Sequence, residues 1–370
     1  MTVPLTGRDT RFREAAELLE AGPRDGAYTA AVLLVGQGEE VVWERSAGFA
    51  RTASAFDIAS VTKPLAAALF FALCQEGHLS LDAPVSGILP FSSPDPRVGE
   101  IRFLHLLAHT SGLPAYLPLY EKVREAEQRD GRPIFGAAEG HDLVVAEILS
   151  LPLAYPPGSA WEYSDLGYIL LGRAIEAAGF QSLDRLMEAK LTGPLGMRDT
   201  GYLPLCRLGD CETGQIVPTG WSEVRQREKA GEVDDENAAA MGGVAGHAGI
   251  FSTARDLFLF AREVLRARKG EGRVLSGPSA LALTSRVAVP RGCPRTAGFD
   301  TPTAGSQAGE TAPPDAFGHL GYTGCSLWVD PRAETVVVFL TNRVVHGTDN
   351  RKLSALRPRI HDAVWRGIPA

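Results

Sequence analysis

The sequence predicts an α/β chain of the α+β kind, an antiparallel sheet flanked by terminal helices with a mostly helical lobe inserted. Three observations lead there. Apolar hairpin patterns occur near both ends, at residues 27–48 and again at 325–342. Between them, from about 76 to 200, apolar residues recur at helical spacing and little reads as strand. With 370 residues and 45% hydrophobic content, the chain has apolar material for one large core or two smaller lobes. A chain that begins in strands, passes through helices and returns to strands closes a sheet from its two ends and packs the helical lobe beside it. The expected division is 1–75 with 240–370 as the sheet-containing lobe and 76–239 as the helical one, forming one unit with its site between them.

The elements follow in order. Phe12, Ala15, Leu18 and Leu19 share a helical face, so residues 10–21 form an amphipathic opening helix that ends at Gly22-Pro23. "AYTAAVLLVG" and "EEVVWERSAG" flank Gln37-Gly38 as a hairpin, and "CSLWVD" and "ETVVVFLTN" flank the turn Asp330-Pro331-Arg332-Ala333 as another. Helical periodicity marks 100–108, 141–150, 166–178 and 182–191. The stretches 115–140, 202–237 and 294–316 read as irregular, long enough to be functional loops. No internal repeat is found.

Composition excludes several classes. A net charge of −7 with interspersed Arg and Glu offers no basic stripe for nucleic acid. No run of 18 apolar residues lacks charges or breakers, so no membrane span is expected. The N-terminus has no apolar core of the kind a signal peptide needs. The chain as written is therefore expected in the cytoplasm, and in the periplasm or outside the cell only if its true start lies upstream. Five cysteines, odd in number and irregularly spaced, fit reduced thiols. Cys206 and Cys211 lack a second Cys or His pair nearby, so they read as loop residues rather than zinc ligands. The eight histidines have no metal spacing, and GxSxG, HExxH and a phosphate-binding loop are absent. No metal and no cofactor is expected. Neither oligomeric state nor substrate identity is readable.

The chemistry begins in "FDIASVTKPLAAALFFAL", residues 56–73. Ser60 precedes Lys63 by three residues at a helix start, so the two share a face and the serine sits at the positive end of the helix dipole. A serine hydroxyl needs a neighbouring base, and a lysine can serve only if burial or nearby positive charge lowers its pKa. The apolar run that follows supplies burial. Twenty serines and six lysines among 370 residues yield roughly 0.3 such pairs by chance, so the pair alone is modest support. A serine N-cap beside a surface lysine is the bland alternative.

Two more motifs decide between them. "PPGSAWEYSDLGYILLGRAIEAAG" puts Tyr163 and Asp165 directly before an apolar helix, and "FGHLGYTGCSLWVD" runs from His319-Leu320-Gly321 into a core strand. SxxK, then YxN, then KTG or HxG, in this order, resembles the serine β-lactamase and penicillin-binding-protein superfamily, and the tyrosine places the chain nearest the class C-related branch that includes D-aminopeptidases and esterases. "LLAHTSGLP", "LTGPLGMRDTGYLP", "GGVAGHAGIFSTARDL" and "VVVFLTNRV" extend the resemblance over roughly residues 27–346.

The resemblance implies a β-lactamase/transpeptidase-like fold and a covalent acyl-enzyme. Ser60 would be the nucleophile and Lys63 its proton acceptor, with Tyr163 sharing that role; which of the two is the base stays open. The oxyanion hole would join the N–H of Ser60 to that of Tyr322, next after the HxG motif on the strand. His319 and Gly321 would line the cleft, the glycine because a side chain would block substrate from the strand edge. His319 stands where related enzymes carry a lysine for the substrate carboxylate, and Asp165 replaces the asparagine of YxN. Both changes disfavour anionic substrates, and Asp165 would help keep Lys63 protonated. His247, between glycines in "GHAG", reads as a turn residue or an orienter. The expected function is a serine hydrolase acting on a small ester, amide or peptide, such as an esterase or D-amino-acid amidase. A β-lactamase or D-Ala-D-Ala carboxypeptidase is the alternative, and a non-catalytic sensor or binding module is the alternative of another class.

Overall fold

The computed structural model describes residues 9–203 and 216–368. Cys206 and Cys211 lie outside the described residues, and Cys74, Cys293 and Cys325 are free thiols. In chain order the helices are α1 (Arg13–Asp25), α2 (Thr62–Gln75), α3 (Phe103–Leu107), α4 (Leu119–Asp130), α5 (Ala138–Ser150), α6 (Asp165–Gly179), α7 (Leu183–Met187), α8 (Gly193–Leu195), α9 (Glu236–Ala240), α10 (Ala254–Arg268), α11 (Gly277–Thr284) and α12 (Lys352–Gly367). The strands are β1 (Ala30–Gln37), β2 (Glu40–Gly48), β3 (Phe56–Asp57), β4 (Gly201–Tyr202), β5 (Gly220–Ser222), β6 (Arg227–Lys229), β7 (Ile250–Ser252), β8 (Phe317–Leu320), β9 (Ser326–Asp330) and β10 (Thr335–Thr341). No helix among the described residues is long and apolar enough to cross a membrane.

The main sheet is antiparallel in the order β2-β1-β10-β9-β8, so both expected hairpins form and the second pairs with the first through β1 and β10. Strand alternation divides the core. Ala31, Leu33 and Val35 of β1 face α1 and α12 together with Phe12, Leu19, Ile360 and Val364. Ala30, Val32 and Leu34 face the opposite side and join the larger core that includes α2, α6 and α10. β8, β9 and β10 are buried on both faces, which explains their near-continuous apolar composition.

α1 runs past the expected stop at Gly22-Pro23 to Asp25 and is closed by Gly26 at φ 70°. Pro23 has no N–H for the Leu19 carbonyl, and the Tyr28 hydroxyl donates to that carbonyl instead at 2.7 Å. A side chain at Gly22 would strike the Tyr28 ring, which is why a glycine precedes the proline. The stretch 115–140, expected to be irregular, contains α4. Its buried face is only Leu119, Val123 and Ala126, and seven of its twelve residues are Asp, Glu, Lys or Arg, which masks the period. α2 is apolar all round, buried from Thr62 to Leu73, as befits a helix packed from every side.

Candidate active site

The Ser60 turn is built from three short pieces. β3 pairs with β7 and delivers the chain into a 3₁₀ turn, Ala59–Val61, from which α2 continues. Ser60 is therefore in the turn before α2 rather than its N-cap; Val61 occupies the cap and makes no side-chain bond. The serine hydroxyl serves Lys63 instead. Ala59 adopts φ 46°, a left-handed conformation that costs a residue with a Cβ about 1–2 kcal/mol. Its N–H donates to Asp57 Oδ1 at 2.8 Å.

Lys63 is fully buried in the first turn of α2, and its Nζ donates to Ser60 Oγ (2.9 Å), Asp165 Oδ1 (2.7 Å) and the His247 carbonyl (3.2 Å). Burial opposes the ammonium, but Asp165 and Tyr163 outweigh it and hold Lys63 above its ordinary pKa. The lowered value that a neutral lysine base requires is thus reversed by the aspartate. Nζ also lies 4.8 Å from the Tyr163 ring centroid. The Tyr163 hydroxyl interacts with Lys63 and Ser60, and burial raises its pKa against the pull of the ammonium.

Tyr163 and Asp165 reach this point because Ser164 anchors them. Its Oγ accepts the Gly167 N–H as N-cap of α6 and donates to the Pro114 carbonyl, while its own N–H goes to His109 Nδ1 at 3.0 Å. His109, at φ 59°, packs its ring 4.5 Å from Tyr163 and 5.1 Å from Tyr168, and its carbonyl accepts the Glu162 N–H. Burial holds His109 well below the ordinary imidazole value, so it is neutral. The guanidinium of Arg295 covers the other approach, 5.2 Å from the Tyr163 centroid and 5.8 Å from that of Trp161, paired with Asp300 at 3.3 Å.

The HxG segment is placed differently from expectation. His319 is on edge strand β8, buried, 6.0 Å from Tyr163 and behind it rather than in the cleft wall. Its Nδ1–H donates to the Leu320 carbonyl, and burial with Lys63 and Arg295 nearby holds the ring well below its ordinary pKa. Gly321 and Tyr322 follow the strand in a turn closed by Gly321 N–H to the Cys325 carbonyl at 2.7 Å. A Cβ on Gly321 would lie 2.4 Å from the Ile58 carbonyl oxygen, so the glycine is needed for the backbone beside Ser60, not for a substrate. Tyr322 does face the cleft, its ring against the Arg343 guanidinium. Among the described residues, neither the Ser60 nor the Tyr322 backbone N–H is taken by a protein acceptor.

These groups open onto a cavity of about 660 Å³. Ala59, Ser60, Tyr163 and Asp165 line its floor, and Tyr116, Trp221 and Tyr322, each about half exposed, stand at its rim. The two lysines of the cavity region are both paired, Lys63 with Asp165 and Lys229 with Asp234 at 2.5 Å. His247 lines the wall with its Nε2 bonded to Asp235 Oδ1 at 2.9 Å, while its carbonyl holds Lys63. His247 thus touches Lys63 through its backbone and Asp235 through its ring.

The Beta-lactamase family profile matches residues 15–359. This chain belongs to the Beta-lactamase family. Among curated relatives, an N-acetylmuramyl-L-alanine amidase of Bacillus subtilis (strain 168) is 27% identical over 378 residues, covering 90% of this chain and 81% of that protein. Among solved structures, EstCE1, a hydrolase with promiscuous acyltransferase activity, superposes with a TM-score of 0.72 at 21% identity, covering 97% of this chain and 99% of that one. A D-stereospecific amidohydrolase from Streptomyces sp. gives 0.64 at 21% identity, with 89% and 93% covered. The β-lactamase/transpeptidase-like fold and the serine-hydrolase class of this member of the Beta-lactamase family follow, and the resemblance in the three motifs is that of a relative.

Proposed function

We propose that this Beta-lactamase-family protein hydrolyses small, uncharged ester or amide substrates through an acyl-enzyme on Ser60, with Tyr163 as the base. The observation that carries this is the buried Lys63–Asp165 pair, which keeps Lys63 charged beside Ser60 and Tyr163. A charged lysine cannot accept the serine proton, but it stabilises a phenolate that can. Ser60 Oγ attacks the carbonyl carbon as its proton passes to Tyr163. The oxyanion forms against the Ser60 and Tyr322 N–H groups, and on collapse the alcohol or amine leaves with the proton from Tyr163. Water, deprotonated by Tyr163, then releases the acid. Ser60 is regenerated.

Among the described residues, Lys63 and Lys229 are paired and His319 is neutral, so none of these three offers a substrate carboxylate a free cation; the Arg343 guanidinium at Tyr322 is held by the Tyr322, Thr348 and Asn350 carbonyls, and the aromatic rim suits an apolar acyl or leaving group. The amidase and amidohydrolase names of its relatives support amides beside esters. We also propose that the lobes 1–75 with 240–370 and 76–239 work as one catalytic unit, a reading supported by cavity walls drawn from both. The test is incubation with a fluorophosphonate and an aryl acetate, with Ser60→Ala as control. An adduct on Ser60 and continuous turnover are expected. One equivalent of product and then arrest would mark a sensor, and no adduct in a folded sample would overturn the hydrolase.

A further inference from the structure

Asp57 has no part in the steps above, yet its polar groups meet three segments that surround Ser60. It is buried on β3, two residues before the left-handed Ala59. Oδ1 accepts the Ala59 N–H at 2.8 Å, which fixes the residue whose peptide bond carries the Ser60 N–H. The Asp57 carbonyl accepts the Thr323 hydroxyl at 2.8 Å, and Ile58 next to it backs onto Gly321, so the residues on both sides of Tyr322 are braced against 57–58. Oδ2 accepts the Asp234 N–H at 2.6 Å. Asp234 adjoins Asp235, which holds the His247 ring, and the His247 carbonyl holds Lys63.

We propose that Asp57 is a positioning residue of the acyl-transfer site, holding the Ser60 and Tyr322 N–H donors in register from beneath the Ser60 turn. The inference rests on the oxyanion pocket assigned above. Its chemical logic is the choice of side chain. Two N–H donors approach two different oxygens, and a carboxylate accepts at both with no proton to place, whereas an amide must turn an NH₂ toward one of them. A general need for stability would favour the opposite choice, since an ionised carboxyl is costly to bury. The charged groups facing it are Asp234 and Asp235, with Lys229 bound to Asp234 and the Cys325 thiol on the other side. Burial and Asp234 push its carboxyl up to about 7. Above that value both oxygens are free to accept, and the task is geometric, two N–H groups from two segments held by one side chain.

The test compares the full-length protein with Asp57→Asn and Thr323→Val, counting active sites by fluorophosphonate labelling at Ser60 and measuring aryl acetate turnover per labelled site, with thermal melts alongside. Asp57→Asn is expected to label at Ser60 and keep KM within about threefold while kcat falls about 10- to 100-fold, short of the 10²–10³ that outright loss of an oxyanion donor costs. Thr323→Val, which removes the hydroxyl that bonds the Asp57 carbonyl together with its longer contact to the Cys325 thiol, is expected to lower kcat about three- to tenfold with KM held. A folded Asp57→Asn with kcat within about twofold of wild type, or a loss confined to KM, would overturn the assignment. If Asp57→Asn does not fold, Thr323→Val decides by the same criteria. A wild-type protein without a Ser60 adduct would overturn the hydrolase reading and this inference with it; labelled, active wild type beside unimpaired variants would overturn this inference alone.

Discussion

Tyr163 sets the pH response of the site, and Asp165, through Lys63, bears on the charge a substrate meets there. Tyr163 is pushed above its ordinary value by burial, so the phenolate fraction grows with pH through the neutral and alkaline range. kcat/KM for an aryl acetate is therefore expected to climb from pH 6 to pH 9, and Tyr163→Phe to lose about 10²–10⁴-fold, the usual worth of a general base. A flat profile in the wild type would refute Tyr163 as the base. Asp165→Asn removes the carboxylate that holds Lys63 charged, so the lysine pKa should fall and anionic substrates should be less repelled. We expect kcat/KM for a carboxylate-bearing aryl ester to rise several-fold relative to its neutral analogue, measured on both at one pH. The three-residue spacing of Ser60 and Lys63 put them side by side in the sequence, and Tyr163 was named beside them only through the resemblance in motif order; the structure brings the three together. Asp57, His109 and Arg295 were not legible in the sequence. Their contacts run to residues 234 and 323, to 163 and 164, and to 161 and 163, and no local pattern announces such pairs.

At the scale of elements, the strands were easier to read than the helices. β1, β2, β9 and β10 are apolar runs bounded by turn residues, and nothing in the structure shifts them by more than a few residues. α1 and α4 were misread for different reasons. The proline in α1 signals a stop, but the tyrosine that replaces its missing donor comes five residues later and from outside the helix. Tyr28→Phe should leave the Leu19 carbonyl buried without a partner and cost about 1–3 kcal/mol in denaturant melts, with turnover unchanged. α4 has too narrow an apolar face to stand out from its charges. Tyr322 was expected on the strand only because the resemblance implies it; the Gly321 and Gly324 backbones close a turn there instead.

For the whole molecule, three buried histidines dominate acid stability. His109 and His319 are held well below their ordinary values by burial, and His361 at about 3. Each stays neutral in the folded chain but takes up a proton below about 6.5 when unfolded, so the unfolded state binds more protons and stability falls as pH drops through that value. His105, also lowered by burial, acts with these three, while Asp57, between about 4 and 7, acts the other way together with Asp256 and Asp300, which burial also raises. Urea melts at pH 7.5 and pH 5 should show the acid sample clearly less stable, by up to about 1.4 kcal/mol per pH unit for each histidine. Equal stability would mean that these rings are solvated.

The packing of α1 against α12 has one more consequence. Arg366 pairs with Glu14 at 2.9 Å, and a Cβ on Gly367 would lie 2.8 Å from the Arg11 carbonyl, so residues near both ends of the described chain meet on one face of the sheet. A short linker could join them, and the exposed turn at Gly131 offers a place to open the ring elsewhere. The order in which this chain is synthesised is thus separable from the architecture it reaches, and a circular permutant cut there should fold to the same site.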